Sequence, residues 1–111
     1  MGKEKQFENK IKNYLKSVGV YPLGTARDKM PVPPVGYFEK RWGGMFTKKG
    51  LPDMHICIHG HSLEVELKSE TGKPDELQLF MLNQINMSGG RGVVVHPKDF
   101  EAFKNLITEY L

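Results

Sequence analysis

The sequence predicts a single α/β domain in which helices flank a central mixed β-sheet, in the order α-β-β-β-α-β-α. Three patterns indicate this class. They are a helical apolar stripe near the N-terminus, two neighbouring stretches of alternating apolar and polar residues over 53–68, and a second helical stretch followed by an apolar strand. The 111 residues, 39% of them hydrophobic, suit one domain over residues 1–111 with a modest core.

The first predicted element is a helix over residues 4–18, ending at Gly19, a residue type that favours helix termination. Its apolar stripe includes Ile11 and Leu15. Glu8 lies three residues before Ile11, so its carboxylate is expected on the core side of the helix. The alternative is that Glu8 lies on the rim of the stripe and reaches solvent.

The central prediction is a β-hairpin over residues 53–68. Gly60-His61 is a Gly-X pair suited to a two-residue type II′ turn. Counting outward from that turn gives the opposed pairs His59 and Ser62, Ile58 and Leu63, Ile56 and Val65, His55 and Glu66, Met54 and Leu67, and Asp53 and Lys68. In this register the apolar side chains of both strands share one face and the polar side chains share the other.

Three polar side chains of this hairpin carry the predicted chemistry. Glu66 and Lys68 share a strand face, and Asp53 comes beside them because opposed strand residues lie roughly 5 Å apart. Two carboxylates supply the oxygen ligands that Mg²⁺ or Mn²⁺ prefers, and such an ion activates water for phosphodiester hydrolysis while an amine assists. The alternative is an exposed face of cross-strand ion pairs, each contributing at most about 1 kcal/mol.

The remaining elements are weaker before the hairpin and clearer after it. One short strand is expected at 36–39, then a helix at 74–88 with Pro74 at its first position, a buried strand at 92–96 and a closing helix at 97–111. The residues predicted to face inward are Leu77, Phe80, Met81, Gln84 and Ile85 in the second helix, and Phe100, Phe103, Ile107 and Tyr110 in the last.

Charge is distributed unevenly along the chain. Residues 1–49 contain eleven Lys and Arg against four Asp and Glu, whereas residues 50–111 contain five against nine. A basic half beside an acidic half that needs a cation fits a polyanionic partner such as DNA, although lysines also occur on solvated helix faces. The residues predicted to contact nucleic acid are Lys40, Arg41, Trp42, Lys48 and Lys49, which combine positive charge with an aromatic ring. Core packing is the alternative for Trp42.

Gly50-Leu51-Pro52-Asp53, Glu64-Val65-Glu66-Leu67-Lys68, the downstream Gln78 and Gly92-Val93-Val94-Val95 together resemble the PD-(D/E)xK nuclease superfamily, in particular its VRR-NUC branch. The resemblance covers about half of the chain, from residue 42 to residue 95. It assigns the E-x-K spacing to Glu66 and Lys68. Glu64 is left as an extra ligand or a bystander.

The resemblance implies further roles. The backbone carbonyl of Leu67 and the carboxylate of Glu8 become additional candidates for the metal site, and Gln78 is expected to reach Lys68 or a phosphate. Small proteins of this branch resemble Holliday junction resolvases, which implies a homodimer that acts on branched DNA, because two symmetric cuts need two sites. The alternatives are a less selective flap nuclease, a non-catalytic DNA-binding module and a sequence-reading restriction-type enzyme.

Two other site types are disfavoured. His55, His59 and His61 suggest zinc, but a hairpin with His61 in its turn does not direct three imidazoles at one ion. The single Cys57 excludes an intrachain disulfide and is expected to be partly buried. The chain lacks a long apolar run, so no signal peptide or membrane span is expected and a cytoplasmic location is predicted.

Overall fold

A five-stranded mixed sheet organises the chain in the computed structural model, which describes residues 2–42 and 48–111. The strands are β1 (Val20–Pro22), β2 (Gly36–Lys40), β3 (Met54–Ile58), β4 (His61–Leu67) and β5 (Arg91–Val95), and the helices are α1 (Lys3–Ser17), α2 (Glu76–Met87) and α3 (Phe100–Thr108). The strands lie in sequence order, with β1–β2 and β4–β5 parallel and β2–β3–β4 antiparallel. The α/β class and the mixed sheet with helices are therefore confirmed.

The first strand, β1, was not predicted. Its three residues pair with the start of β2, and Val20 and Tyr21 are buried. The Tyr21 hydroxyl donates to the carbonyl of Val32 at 2.7 Å and accepts from the Val32 N–H at 2.9 Å, which anchors the intervening segment. A three-residue edge strand has too few residues to show an alternating pattern, so the sequence gives no periodic signal for it.

The hairpin register differs from the predicted one by two residues. The turn residues are His59 and Gly60, whose φ angles of 48° and 84° are the positive pair of a type I′ turn. Ile58 therefore pairs with His61, and His55 with Glu64 rather than with Glu66. The predicted type II′ turn at Gly60-His61 and the pairing of Asp53 with Lys68 are wrong. A shift of two keeps every side chain on its face, so alternation alone does not distinguish the two registers.

The faces of the sheet are covered unequally. The apolar face of β3 and β4 packs against α1 and α3 in one core cluster, which includes Ile11, Leu15, Phe103 and Ile107. On the other face, Gly92, the partner of Glu64, lies against Leu82 of α2. Because β4 is central, its polar side chains are buried as well, and Glu66 is only 1% exposed. The predicted half-exposed hairpin is therefore wrong for β4.

The second helix is the least buried of the three. Asp75 caps its N-terminus, so Pro74 lies outside the helix and not at its first position as predicted. Of its residues only Leu82 is buried, while Leu77 and Phe80, which were predicted to face inward, are 42% and 58% exposed. The prediction for the last helix is better, since Phe103 and Ile107 are buried, although a short 3-10 turn (Pro97–Asp99) precedes α3 and the helix ends at Thr108.

Within the described ranges, the helices are too short or too polar to cross a bilayer. Cys57 is partly buried, as expected.

The type I′ turn predicts that His59→Asn raises the free energy of unfolding by about 0.5 kcal/mol, because asparagine tolerates positive φ better than histidine does. His61→Asn is the matched comparison, since it lies in β4 and not in the turn. Urea denaturation of both variants tests the register. A gain from His61→Asn with none from His59→Asn would favour the Gly60-His61 turn.

Candidate functional site

A cavity of about 930 Å³ lies at the C-terminal end of β4, between the first turns of α1 and of α2. Its lining includes five side chains that the sequence predicted for a metal or catalytic site, namely Glu8, Asp53, Glu66, Lys68 and Gln78, together with Leu67. The structure therefore brings the predicted residues to one place. The corrected register explains this for Asp53, which precedes β3 by one residue and so comes level with Glu66, the residue after Val65.

Asp53 is held by backbone groups on both sides. Its carboxylate Oδ2 accepts a hydrogen bond from the Leu67 N–H at 2.8 Å, which ties it to β4. Its carbonyl accepts from the Arg41 N–H at 2.7 Å, which ties it to the end of β2. Three segments of the sheet thus fix the position of one carboxylate.

Glu66 has the most unusual environment of the described acidic residues. Its Oε2 is buried and accepts no hydrogen bond from any described group. Burial raises the pKa of Glu66 to about 8, together with the hydrogen bond that its protonated carboxyl can make with Asp53 and the negative charge of Asp53. Two carboxylates that have only acceptor oxygens between them need a proton or a cation in that position.

Two longer contacts reach the other oxygen of Glu66. The Gln78 amide Nε2 lies 3.4 Å from Oε1, and the Lys68 amine lies 3.7 Å from the same atom. Gln78 also forms a capping box with Asp75, accepting from its backbone N–H at 2.9 Å and donating its own N–H to the Asp75 side chain at 2.8 Å. Gln78 therefore contacts Glu66 and not Lys68, and the α2 cap fixes its position.

Glu8 lies in the same cavity but has other partners. Its carboxylate pairs with the amines of Lys12 at 2.8 Å, Lys5 at 3.0 Å and Lys40 at 3.5 Å. Partial burial alone would raise its pKa, but the hydrogen bonds from Lys12 and Lys5 and the charge of Lys40 hold it at about 2. Glu8 is therefore an anion at the centre of a lysine cluster, and its placement does not support a role as a metal ligand.

Arg41 has a structural environment that the sequence did not indicate. Its guanidinium binds the Glu64 carboxylate in a bidentate manner at 2.7 and 2.8 Å and donates to the Pro52 carbonyl at 2.9 Å. The hydrogen bond with Glu64 raises the pKa of Arg41. His55 Nδ1 lies 3.0 Å from the same carboxylate. Glu64 is thus the partner of Arg41, and this clamp holds the Pro52-Asp53 segment against β4.

The other predicted nucleic-acid contacts are placed at the surface. Lys48 and Lys49 are exposed, and the Trp42 ring is 71% exposed, so core packing of Trp42 is ruled out. Lys5 and Lys12 were not among the predicted site residues. The signal was present, because they lie three residues before and four residues after Glu8, the spacing of neighbours on a helix face.

The described residues contain no group of three or more His, Cys, Asp or Glu positioned to hold a metal ion. His55, His59 and His61 therefore do not form a zinc site there. The acidic pair fits a divalent cation in a different way. Asp53 and Glu66 supply two carboxylates, Leu67 also lines the cavity, and Glu66 Oε2, which has no hydrogen-bond donor among the described residues, would be satisfied by a cation.

Comparison with known proteins found no matching family model, no matching curated protein and no matching solved structure.

The raised pKa of Glu66 predicts a pH dependence of stability. The folded protein keeps a proton on Glu66 that the unfolded chain loses above its ordinary pKa of 4.5, so this stabilisation is complete below pH 4.5 and is lost as the pH rises through about 8. Glu66→Gln removes this titrating group. The decline in the free energy of unfolding between about pH 5.5 and 9 should therefore be smaller in this variant by a few kcal/mol. Urea denaturation at several pH values measures this. The exposed variant Glu109→Gln is the control, and an unchanged slope in Glu66→Gln contradicts the assignment.

The Arg41 clamp predicts strong coupling between two residues. Arg41→Met leaves the Glu64 carboxylate buried without its bidentate partner and should cost about 2 kcal/mol, while adding Glu64→Leu should recover most of that loss. A double-mutant cycle by urea denaturation checks it. Lys104 and Glu101 form an exposed pair for comparison and should couple by less than about 0.5 kcal/mol. Additive losses at Arg41 and Glu64 would show that the clamp does not stabilise the fold.

Proposed function

We propose that this protein is a metal-dependent endonuclease that hydrolyses phosphodiester bonds in DNA. The observation that carries the proposal is the buried Oε2 of Glu66, which has no hydrogen-bond donor among the described residues and lies beside the carboxylate of Asp53, in a cavity that also presents an amine. Removing a carboxylate from water without a partner is costly, so such an arrangement is typical of a site built for a ligand.

The ligand that suits this arrangement is Mg²⁺ or Mn²⁺, held by Asp53, Glu66 and the Leu67 carbonyl. A bound divalent cation supplies Lewis acidity, which lowers the pKa of coordinated water and neutralises charge on a phosphate. Leu67 contributes to the site through its N–H as well, because that donor orients the Asp53 carboxylate. The hydrogen bond leaves the second Asp53 oxygen to face Glu66.

Lys68 and Gln78 are assigned to the substrate. The Lys68 amine is partly exposed and lies at the same wall of the cavity as the acids, so it can hold the attacking water or a non-bridging phosphate oxygen. Gln78 supplies a neutral donor from the N-terminus of α2, where backbone dipoles also favour an anion. Its capping contacts keep the amide in place before substrate binds.

DNA is the proposed partner because the N-terminal half of the chain is basic. Lys40 lines the cavity, and Lys48 and Lys49 are exposed beyond the end of β2. These amines neutralise backbone phosphates on either side of the scissile bond. Arg41 is not included, because its guanidinium is bound to Glu64.

A homodimer acting on branched DNA is the form of this proposal that we favour. On the outer side of α2, Leu79, Phe80 and Met87 are 51%, 58% and 79% exposed, and Glu76 is the only charged residue of the helix. Together these three side chains expose on the order of 400 Å² of apolar surface, about half of what each partner buries in a standard interface. Two copies of α2 can therefore meet about a two-fold axis without opposing like charges.

A cleavage assay with four-way, flapped and blunt linear DNA in Mg²⁺ or Mn²⁺ tests the proposal. We expect paired cuts in the four-way junction. Asp53→Asn and Lys68→Ala should each lose at least about a hundredfold in rate while folding and DNA binding in EDTA are retained, because they remove groups that act on the reacting phosphate. Glu109→Gln and Lys16→Ala, exposed residues of the same charge, serve as matched controls.

The other outcomes separate the alternatives. Equal cleavage of flapped and four-way DNA, with a single cut from a monomer, would favour the flap nuclease, and Phe80→Glu should produce such a monomer from the wild-type dimer. A defined cut within random duplex would favour a restriction-type enzyme. Binding without cleavage under any metal condition would leave a non-catalytic DNA-binding module. Full activity of Asp53→Asn or Lys68→Ala would overturn the residue roles.

A further inference from the structure

The indole ring of Trp42 forms a platform beside the cavity. It follows the end of β2 and is 71% exposed, which is unusual for the largest apolar side chain of a small domain. Two amines approach the ring, Lys5 at 5.7 Å and Lys40 at 5.5 Å from its centroid. Both distances allow a cation–π attraction. Trp42, Lys5 and Lys40 together form the indole platform.

Glu8 holds the two amines of the indole platform in place. Its carboxylate lies 3.0 Å from Lys5 and 3.5 Å from Lys40, and Lys12 completes the cluster. Since the pKa of Glu8 is held at about 2, its carboxylate is an anion at neutral pH. Lysine side chains otherwise lose rotamer freedom on binding, so ordering them in advance reduces the entropy cost of binding an anion.

The platform is continuous with the acidic pair. Lys40 and Glu8 line the same cavity as Asp53 and Glu66, and Lys40 also contacts Trp42. Lys40 thus connects the cavity that contains the acidic pair to the indole ring. The net charge of the Lys5, Lys12, Lys40 and Glu8 group is positive, which complements a phosphate.

We propose that the indole platform is a binding site for one unpaired nucleotide of the DNA, with its base stacked on Trp42 and its phosphate held by Lys5 and Lys40. Bases in an intact duplex stack on each other and do not present a free face, whereas an unpaired base does. The site therefore favours DNA that presents an unpaired nucleotide next to the cut, as a flap does and as a four-way junction does when a base pair at its branch point opens. This inference rests on the proposed function only for the position of the cut.

Fluorescence of Trp42 tests the platform directly, because it is the only tryptophan of the chain. In EDTA, where no hydrolysis occurs, oligothymidylate of about 15 nucleotides should quench the emission and a blunt duplex of about 30 base pairs should not. Trp42→Ala should weaken binding of the labelled single strand by about 5- to 150-fold, the equivalent of one stacked base, and leave duplex binding unchanged. Trp42→Phe should retain an intermediate affinity.

The lysines have a separate readout. Lys5→Ala should reduce the slope of log affinity against log salt by about 0.7 for the single strand, because it removes one phosphate contact. Lys16→Ala, on the same helix and exposed, should leave it unchanged. Unchanged Trp42 emission with bound single strand, or equal losses for single strand and duplex in Trp42→Ala, would overturn the platform. Both measurements omit metal, so a protein that binds in this way but never cleaves DNA would refute the nuclease and keep the platform.

Discussion

Two carboxylates that share one buried position constrain this molecule more than any other contact. Glu66 lies on a central strand with both faces covered, and its neighbour Asp53 arrives from the start of the adjacent strand. Their repulsion has to be offset by a proton or a cation, and burial together with this repulsion raises the pKa of Glu66. The proposed chemistry, the pH dependence of folding and the order in which ligands bind all depend on it.

The surrounding residues keep this costly pair in place. Arg41 connects the end of β2 to Pro52, just before β3, and to Glu64 in the middle of β4, and the N–H of Leu67 fixes the Asp53 carboxylate. Gln78 is ordered by the cap of α2 before it reaches Glu66. These groups contribute to the site by position alone, because two carboxylates that repel each other move apart unless the surrounding backbone is rigid.

Much of the fold could be predicted from the sequence because period and composition report on burial. Alternation located β3 and β4, and the apolar stripe located α1. The register could not be read in the same way, because both candidate turns contain Gly60 and a two-residue shift preserves the faces. The exposed apolar face of α2 was not predicted because this helix is apolar on more than one side, so its pattern does not show which side is buried. Strand β1 was not predicted because its three residues are too few to show a repeating pattern.

The same distinction applies to the candidate site, where contacts within one strand could be predicted from the sequence and contacts between distant residues could not. Spacing within one strand placed Glu66 and Lys68 together, and the even error in register still left Asp53 beside them. Long-range partners were beyond the sequence, which is why Arg41 was expected at DNA when it binds Glu64, and why Glu8 was expected at a metal when three lysines surround it. A single chain carries no sign of which distant charges will meet.

The proton on Glu66 also affects how a cation and a nucleic acid would bind in the cavity. A phosphate that entered the cavity before a cation would add negative charge beside two carboxylates that already repel each other. This added charge would raise the pKa of Glu66 further. In the proposed enzyme a cation held by Asp53 and Glu66 would replace this proton, so DNA that binds without metal would occupy a site that is protonated and inactive. Low pH and a low magnesium concentration would then inhibit the proposed enzyme in the same way, because each leaves Glu66 protonated at the position where the cation would bind.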